Sequence, residues 1–202
     1  MRVRGNSSLS VNGGTIGSNA WSGVDMESGT GMISGTTITG NGTNASLPEG
    51  SRQGVTALAS YVQVNNTSIT NNAGGGIGVV QGGSLSLYNS TVTGNGSSGV
   101  TLYGGASGNL GGGTISGNSG DGVAVWVNST AQITAGASIQ NNARHGIELT
   151  AGSKLWVFEP SITVSGNAWF GLYCNDVESS AADTSLIGFS SNGQGGTSCT
   201  AY

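Results

Sequence analysis

Apolar residues recur in a fixed pattern along the chain, in a repeat of 22 to 25 residues that lengthens to 31 in one copy. In each copy an apolar residue is followed three positions later by Asn, and outside the long copy Gly follows four positions after that. Apolar residues usually occupy the first and third positions after the Gly, which predicts a β-strand with one buried face. The eight Asn residues are Asn19, Asn41, Asn72, Asn95, Asn118, Asn142, Asn167 and Asn192.

Such a repeat predicts a solenoid, because each coil is too small to bury its own apolar face and uses its neighbours to do so. We therefore predict an all-β fold of about eight coils that forms one domain over residues 1–202. The Asn residues are expected to stack into a buried ladder of side-chain amides, at bends where they adopt left-handed dihedrals. The recurrent Gly is expected to keep the corner clear where the chain re-enters a strand.

The long copy contains an insertion. Residues 42–53 lie between Asn41 and its delayed Gly54, and they are predicted to form a loop at one corner. Insertions in solenoids often lie on the working face, so this loop is a candidate cleft wall. Asp25 and Glu27, on the preceding coil, could supply the acid and base of glycoside hydrolysis, although carboxylates on an exposed strand are commonly just solvated.

An apolar and aromatic row is predicted on the outside of the solenoid. The outward position four residues after the Gly holds Leu58, Val80, Tyr103 and Trp126 in successive copies. A contiguous exposed apolar row usually marks an interaction surface, and neighbouring Tyr and Trp rings could stack on sugars. The alternative is that a nearby loop, or another subunit of a homo-oligomer, covers the row for structural reasons.

Two further groups of outward residues suggest chemistry. Arg144, His145 and Glu148 lie close together in sequence, and His145 is the only histidine. These residues could bind an acidic sugar and move a proton. Alternatively, they could simply be solvent-facing corner residues. Hydroxyl residues flank the apolar residue before the Asn in four copies, as in ice-binding β-solenoids, but half-exposed strands favour the same residues. These are Thr37, Thr39, Ser68, Thr70, Thr91, Thr93, Thr114 and Ser116.

The two cysteines are predicted to form a disulfide. Cys174 and Cys199 each stand three residues after the Gly of their copy, so they should face inward on adjacent coils. Strand spacing would place their Cα atoms about 4.8 Å apart, within the range that a disulfide accepts. A disulfide implies an oxidising compartment and therefore export.

Composition and charge exclude several classes of function. The 202 residues include 39 Gly, and the net charge is −4 without any basic run, which argues against nucleic-acid binding. No apolar stretch approaches membrane-spanning length. With one His and two paired thiols we expect neither a metal nor a cofactor. Because no capping segment precedes the first coil, we expect the chain to be part of a longer protein.

The Ile-x-x-Asn-x-x-x-Gly-Ile/Val repeat resembles the right-handed parallel β-helix of the pectate-lyase-like superfamily, in particular the repeat regions of bacterial exported proteins. The resemblance implies a right-handed parallel β-helix and an extracellular or cell-surface location. It also implies that the partner is a polysaccharide or a cell-surface glycan. The catalytic motifs of the superfamily (Asp-Asp, Gly-His-Gly, Arg-x-Lys and Asp-Pro-His) are absent from the sequence. We therefore expect a structural or adhesive module that binds polysaccharide along the aromatic row, with a lyase, hydrolase or epimerase as the alternative.

Overall fold

The computed structural model describes residues 1–199, which wind into a parallel β-helix of about nine turns. The strands form three parallel sheets of nine, eight and eight strands, and each strand pairs with its counterparts in the neighbouring turns. Sheet 1 contains Arg2–Arg4, Val24–Glu27, Val55–Leu58, Ile77–Val80, Val100–Tyr103, Val123–Trp126, Ile147–Thr150, Phe170–Cys174 and Gly195–Thr197.

The other two sheets have eight strands each. Sheet 2 contains Ser8–Asn12, Thr30–Ser34, Tyr61–Asn65, Ser84–Tyr88, Ser107–Gly111, Thr130–Thr134, Lys154–Val157 and Ser180–Ala182. Sheet 3 contains Thr15–Gly17, Thr37–Thr39, Ser68–Thr70, Thr91–Thr93, Thr114–Ser116, Ser138–Gln140, Ile162–Ser165 and Ile187–Ser190. Two short 3-10 helices cover Glu49–Ser51 and Thr184–Leu186. The predicted all-β solenoid of about eight coils is confirmed, and the additional strand of sheet 1, Arg2–Arg4, precedes the first repeat.

The interior is filled by the alternate apolar residues of all three sheets. In one coil, Val123 and Val125 of sheet 1, Ile133 of sheet 2 and Ile139 of sheet 3 are all buried. Because neighbouring strands are in register, each of these side chains lies between its counterparts in the coils above and below. The core is therefore a set of continuous apolar columns, which single coils could not form alone.

The predicted Asn ladder is present along the whole rod. The Nδ2 group of each Asn donates to Oδ1 of the next Asn at 2.7 to 3.0 Å, from Asn19 through to Asn192. The same Nδ2 group also donates to a backbone carbonyl of the preceding coil, as Asn118 does to Val92 O at 3.1 Å. Each inner amide therefore ties together three consecutive coils.

The left-handed backbone lies one residue earlier than predicted. The residue before each ladder Asn has a positive φ, for example 60° at Gly117, whereas the Asn residues themselves do not. This residue reverses the chain and turns the following Asn side chain inward, where it can meet the neighbouring amides. The eight residues are Ser18, Gly40, Asn71, Gly94, Gly117, Asn141, Gly166 and Ser191.

The recurrent Gly is required by close packing at the corner, as predicted. A Cβ atom on Gly122 would lie 2.4 Å from Cγ2 of Ile139 and 2.6 Å from the carbonyl oxygen of Gly146. Both distances are far inside van der Waals contact. Any side chain here would push the corner away from the Asn ladder.

Two local features complete the fold. Residues 42–53 fold back against the coil, where the Ser51 carbonyl accepts a hydrogen bond from the Ser22 N–H at 2.9 Å. The predicted Cys174–Cys199 disulfide is present, with Cα atoms 4.9 Å apart. Among residues 1–199, no helix has the length and apolar character needed to cross a membrane.

Replacing Asn118 by Ala should lower the free energy of unfolding by about 2–4 kcal/mol, because it leaves several buried donors and acceptors without partners. Urea unfolding followed by circular dichroism would measure the loss. Asn65→Ala is the matched control, since Asn65 is half-buried on the outer side of sheet 2, and it should lose less than about 0.5 kcal/mol. Equal losses for the two variants would show that the ladder contributes no special stability.

Candidate functional site

Four charged or titratable side chains come together on sheet 1. Arg144, His145 and Glu148 lie at the start of the strand Ile147–Thr150, and Asp121 lies at the same place in the preceding coil. The stacking of coils brings Asp121 beside His145, whose backbone N–H donates to Asp121 Oδ1 at 3.0 Å. Residues more than twenty positions apart in sequence thus form one cluster.

Arg144 bridges the two carboxylates of this cluster. Its NH1 atom lies 3.4 Å from Asp121 Oδ2, and its NH2 atom lies 3.5 Å from Glu148 Oε1. Glu148 also accepts a hydrogen bond of 2.8 Å from Trp126 Nε1. Asp121 is completely buried and Glu148 is nearly so, while the Arg144 side chain remains 38% exposed. The guanidinium group is therefore the part of this network that a ligand can reach.

Aromatic rings surround the cluster. The His145 ring stacks on Tyr173 at a centroid distance of 4.3 Å and meets the edge of Trp169 at 5.0 Å. The Arg144 guanidinium lies over the Trp169 ring, 5.0 Å from its centroid, in a cation–π contact. Together with Gln194 of the next coil, these residues line an open depression of about 350 Å³. We call Asp121, Arg144, His145, Glu148, Trp169 and Tyr173 the Arg144 site.

His145 is neutral and carries its ring proton on a nitrogen that has no hydrogen-bond partner within residues 1–199. Its Nδ1 atom accepts a hydrogen bond from the Phe170 N–H at 3.2 Å, so the ring proton of the neutral form lies on Nε2. Burial, and then the charge of Arg144, lower the pKa of His145 to about 4. Among the described residues Nε2 has no hydrogen-bond partner. In this tautomer His145 can donate to a ligand but cannot accept a proton from one.

The pKa of Asp121 is shifted upward, whereas that of His145 is shifted downward. Burial raises its pKa to about 6, and the nearby Glu148 carboxylate adds to the rise, while the His145 N–H and Arg144 lower it only in part. At neutral pH Arg144 therefore faces two carboxylates. Below about pH 6 Asp121 takes up a proton, and Arg144 then faces one.

The carboxylates predicted as an acid and base pair lie elsewhere. Asp25 is paired with Arg2, and Glu27 is paired with Arg4, each at 3.0 Å. The depression beside Asp25 is lined by Trp21 and other residues, none of which belongs to residues 42–53 among those described. The loop is joined to this depression through Ser22, whose N–H donates to the Ser51 carbonyl at 2.9 Å.

The predicted apolar row is continuous, but only part of it is exposed. Leu58, Val80, Tyr103 and Trp126 are paired in register on successive strands. Tyr103 is 45% exposed, whereas the other three are half-buried rather than open to solvent as expected. Through the bond from Trp126 to Glu148 the row runs directly into the Arg144 site.

Sequence reasoning missed Asp121 and Tyr173. A signal for Asp121 existed in the repeat, because it occupies the position before the recurrent Gly, which His145 and Phe170 occupy in the next two copies. A comparison of this position across the copies would have shown that three consecutive coils carry a large or ionisable side chain there. The alternative expectation, that His145 and Glu148 are solvent-facing corner residues, is wrong, because both are buried.

The hydroxyl residues of sheet 3 form the two ranks expected from the sequence. Thr37, Ser68, Thr91 and Thr114 are paired in register in one rank, and Thr39, Thr70, Thr93 and Ser116 in the other. Some of these hydroxyls bond to one another, as Thr70 does to Thr39 at 3.1 Å. No three His, Cys, Asp or Glu side chains within residues 1–199 are grouped so that they could hold a metal ion.

Asp121 and His145 should make opposite contributions to the pH dependence of stability. The raised pKa of Asp121 gives stability that is present below about pH 4 and lost as the pH rises through about 6. The lowered pKa of His145 gives stability that is present above about pH 6.5 and lost as the pH falls toward 4. The two contributions oppose each other between about pH 4 and 6.

Relative to the unchanged protein, Asp121→Asn should therefore gain stability as the pH rises from about 4 to 6, and His145→Gln should lose it. Each change should be on the order of 1–3 kcal/mol across this window. Urea unfolding at several pH values would measure both slopes. Slopes of the same sign would contradict the assigned protonation states.

Comparisons with known proteins agree with this architecture. A family model described as a right-handed beta helix region matches residues 1–169. No curated protein matches the chain. A mutant of the periplasmic alginate epimerase AlgG is similar at 16% identity and a TM-score of 0.66, over 87% of this chain and 47% of that one.

A second solved structure is the A-module of the Azotobacter vinelandii mannuronan C-5 epimerase AlgE4. It is similar at 18% identity and a TM-score of 0.56, over 93% of this chain and 62% of that one. The chain thus spans about half the length of the AlgG structure, and identities this low show a common fold alone. With the family model covering most of its length, the chain belongs to the right-handed β-helix family.

Proposed function

We propose that the chain binds an anionic polysaccharide on sheet 1, at the Arg144 site and along the adjoining Trp126 and Tyr103. The observation that supports this most directly is the half-exposed guanidinium of Arg144, which lies on the Trp169 ring at the edge of an open depression. Aromatic faces bind the apolar faces of sugar rings, and a guanidinium group binds carboxylates with two parallel hydrogen bonds. The site offers both at once.

Arg144 remains available to a ligand because its present ion pairs are long. Charge-assisted bonds between nitrogen and carboxylate oxygen are usually about 2.7–2.9 Å. Those of Arg144 are 3.4 and 3.5 Å, and its five N–H groups are not saturated by them. A uronate carboxylate can therefore compete for the exposed side of the guanidinium, and His145 Nε2 can donate a further bond.

Asp121 makes such binding depend on pH. When Asp121 is ionised, its charge and that of Glu148 oppose an incoming carboxylate. Protonation below about pH 6 removes one of these charges and leaves Arg144 less compensated. Anion binding should therefore strengthen as the pH falls through 6.

Binding fits this geometry better than catalysis. The similar solved structures are named for epimerases that act on alginate and mannuronan, so uronate polymers are the natural first probes. Proton abstraction would need an exposed base, but Asp121 is fully buried and the free nitrogen of His145 carries a proton. The Cys174–Cys199 disulfide supports an exported location, where such polymers occur.

Arg144→Gln should weaken retention on immobilised alginate by about tenfold or more, since the only cation of the site is removed. Arg4→Gln, which removes an equal charge from sheet 1 far from the site, is the control and should bind normally. Asp121→Asn should bind at about pH 7.5 as tightly as the unchanged protein binds at about pH 5. These affinities can be measured by affinity electrophoresis at the two pH values.

Two results would overturn the proposal. One is equal retention by Arg144→Gln and the unchanged protein, and the other is the absence of any retention at either pH. Chain length and uronate composition of the alginate, measured after long incubation, should stay unchanged. A change in either would make the chain an enzyme.

The register of the hydroxyl ranks on sheet 3 favours ice binding as a second candidate. Repeated hydroxyls on parallel strands form a regular lattice at the strand spacing of about 4.8 Å. If this lattice binds ice, the protein should show thermal hysteresis, and Thr93→Tyr should abolish it. Thr30→Tyr on sheet 2 should retain it, and no hysteresis in the unchanged protein would exclude this function.

A further inference from the structure

The outer face of sheet 2 has a depression of its own, separate from the Arg144 site. Its volume is about 200 Å³, and hydroxyl and amide side chains line it. They form two rows across three consecutive strands, with paired register in both rows. The first row is Ser84, Ser107 and Thr130, and the second is Ser86, Asn109 and Gln132.

Exposed aromatic rings flank the depression on both sides, one continuing the first row and the other continuing the second row at the opposite end. Tyr61 is paired with Ser84 at one end, and Trp156 is paired with Gln132 at the other. Each is 41% exposed. The Tyr61 hydroxyl lies 3.3 Å from Ser86 Oγ, so its ring leans toward the depression. Four strand spacings separate the two rings, which is about 19 Å.

The floor contains a polar group without a partner. Asn109 Oδ1 is buried and has no hydrogen bond, and the rest of its amide makes none among the described residues. Buried polar atoms are nearly always paired in folded proteins. Rotation of this amide would turn its oxygen toward the depression, where a ligand hydroxyl could donate to it.

The charge of this face differs from that of the Arg144 site. None of the residues that line this depression is ionisable, and the neighbouring charged residue is Lys154, which is paired with Thr130. A ligand held here gains hydrogen bonds and stacking but little ionic attraction. The face therefore suits a ligand that is neutral, rich in hydroxyls and extended.

We propose that the outer face of sheet 2 binds a neutral, extended glycan that lies along the axis of the rod. Sugar rings stack on Tyr61 and Trp156, and the hydroxyls of the intervening sugars bond to the Ser and Thr hydroxyls and to the amides of Asn109 and Gln132. This inference does not rest on the proposed function, because it uses a different sheet and none of the same residues.

Isothermal titration with cellohexaose and with xylohexaose tests this site. At least one of them should bind, and Trp156→Ala and Tyr61→Ala should each weaken its binding by about tenfold. Ser107→Tyr, which fills the depression from an exposed position, should abolish binding without removing an aromatic ring. Circular dichroism would confirm that all three variants are folded.

Tyr103→Ala is the matched control, because Tyr103 is a similarly exposed aromatic residue on sheet 1. It should leave cellohexaose or xylohexaose binding unchanged, and alginate should not compete with either probe. Competition by alginate, or loss of binding in Tyr103→Ala but not in Trp156→Ala, would place the neutral glycan on sheet 1 and overturn the proposal. Failure of both probes to bind would also overturn it.

Discussion

The ladder of buried Asn amides is the interaction on which the rest of the structure depends. Each inner amide satisfies a neighbouring amide, a backbone N–H and a backbone carbonyl of adjacent coils, so it fixes both the spacing and the rotation of each coil relative to the next. The close Gly corner and the left-handed residue before each Asn are consequences of this arrangement, because both bring the amide inward. Once the ladder is in place, the apolar columns fall into register.

The register between neighbouring strands of sheet 1 also assembles the Arg144 site. Asp121 and Arg144 belong to different coils, and the bridge between them exists only because the two corners are stacked. The opposite pKa shifts of Asp121 and His145 arise from the same burial. One buried corner thus holds a carboxyl group that readily protonates beside an imidazole that stays neutral.

The sequence predicts the inside of this molecule far better than the outside. Inward positions such as Val123 and Ile139 repeat with a period that only a stacked solenoid explains, and Cys174 and Cys199 could be paired from their positions within the repeat. Outward residues repeat over fewer copies, as in the hydroxyl ranks of sheet 3, and so they predict less. The exposure of the apolar row was overestimated, because long side chains on neighbouring coils cover one another, as Trp126 and Glu148 do.

The disulfide has a consequence for the durability of the Arg144 site. Each coil of a solenoid contacts only its neighbours, so two coils can separate wherever the contacts between them are weak. Tyr173 precedes Cys174 directly, and Gln194 belongs to the coil that Cys199 anchors, so part of the Arg144 site lies close to this tether. A covalent bond, rather than packing alone, holds these two coils together, and the redox state of the surroundings therefore bears on how long the depression keeps its shape.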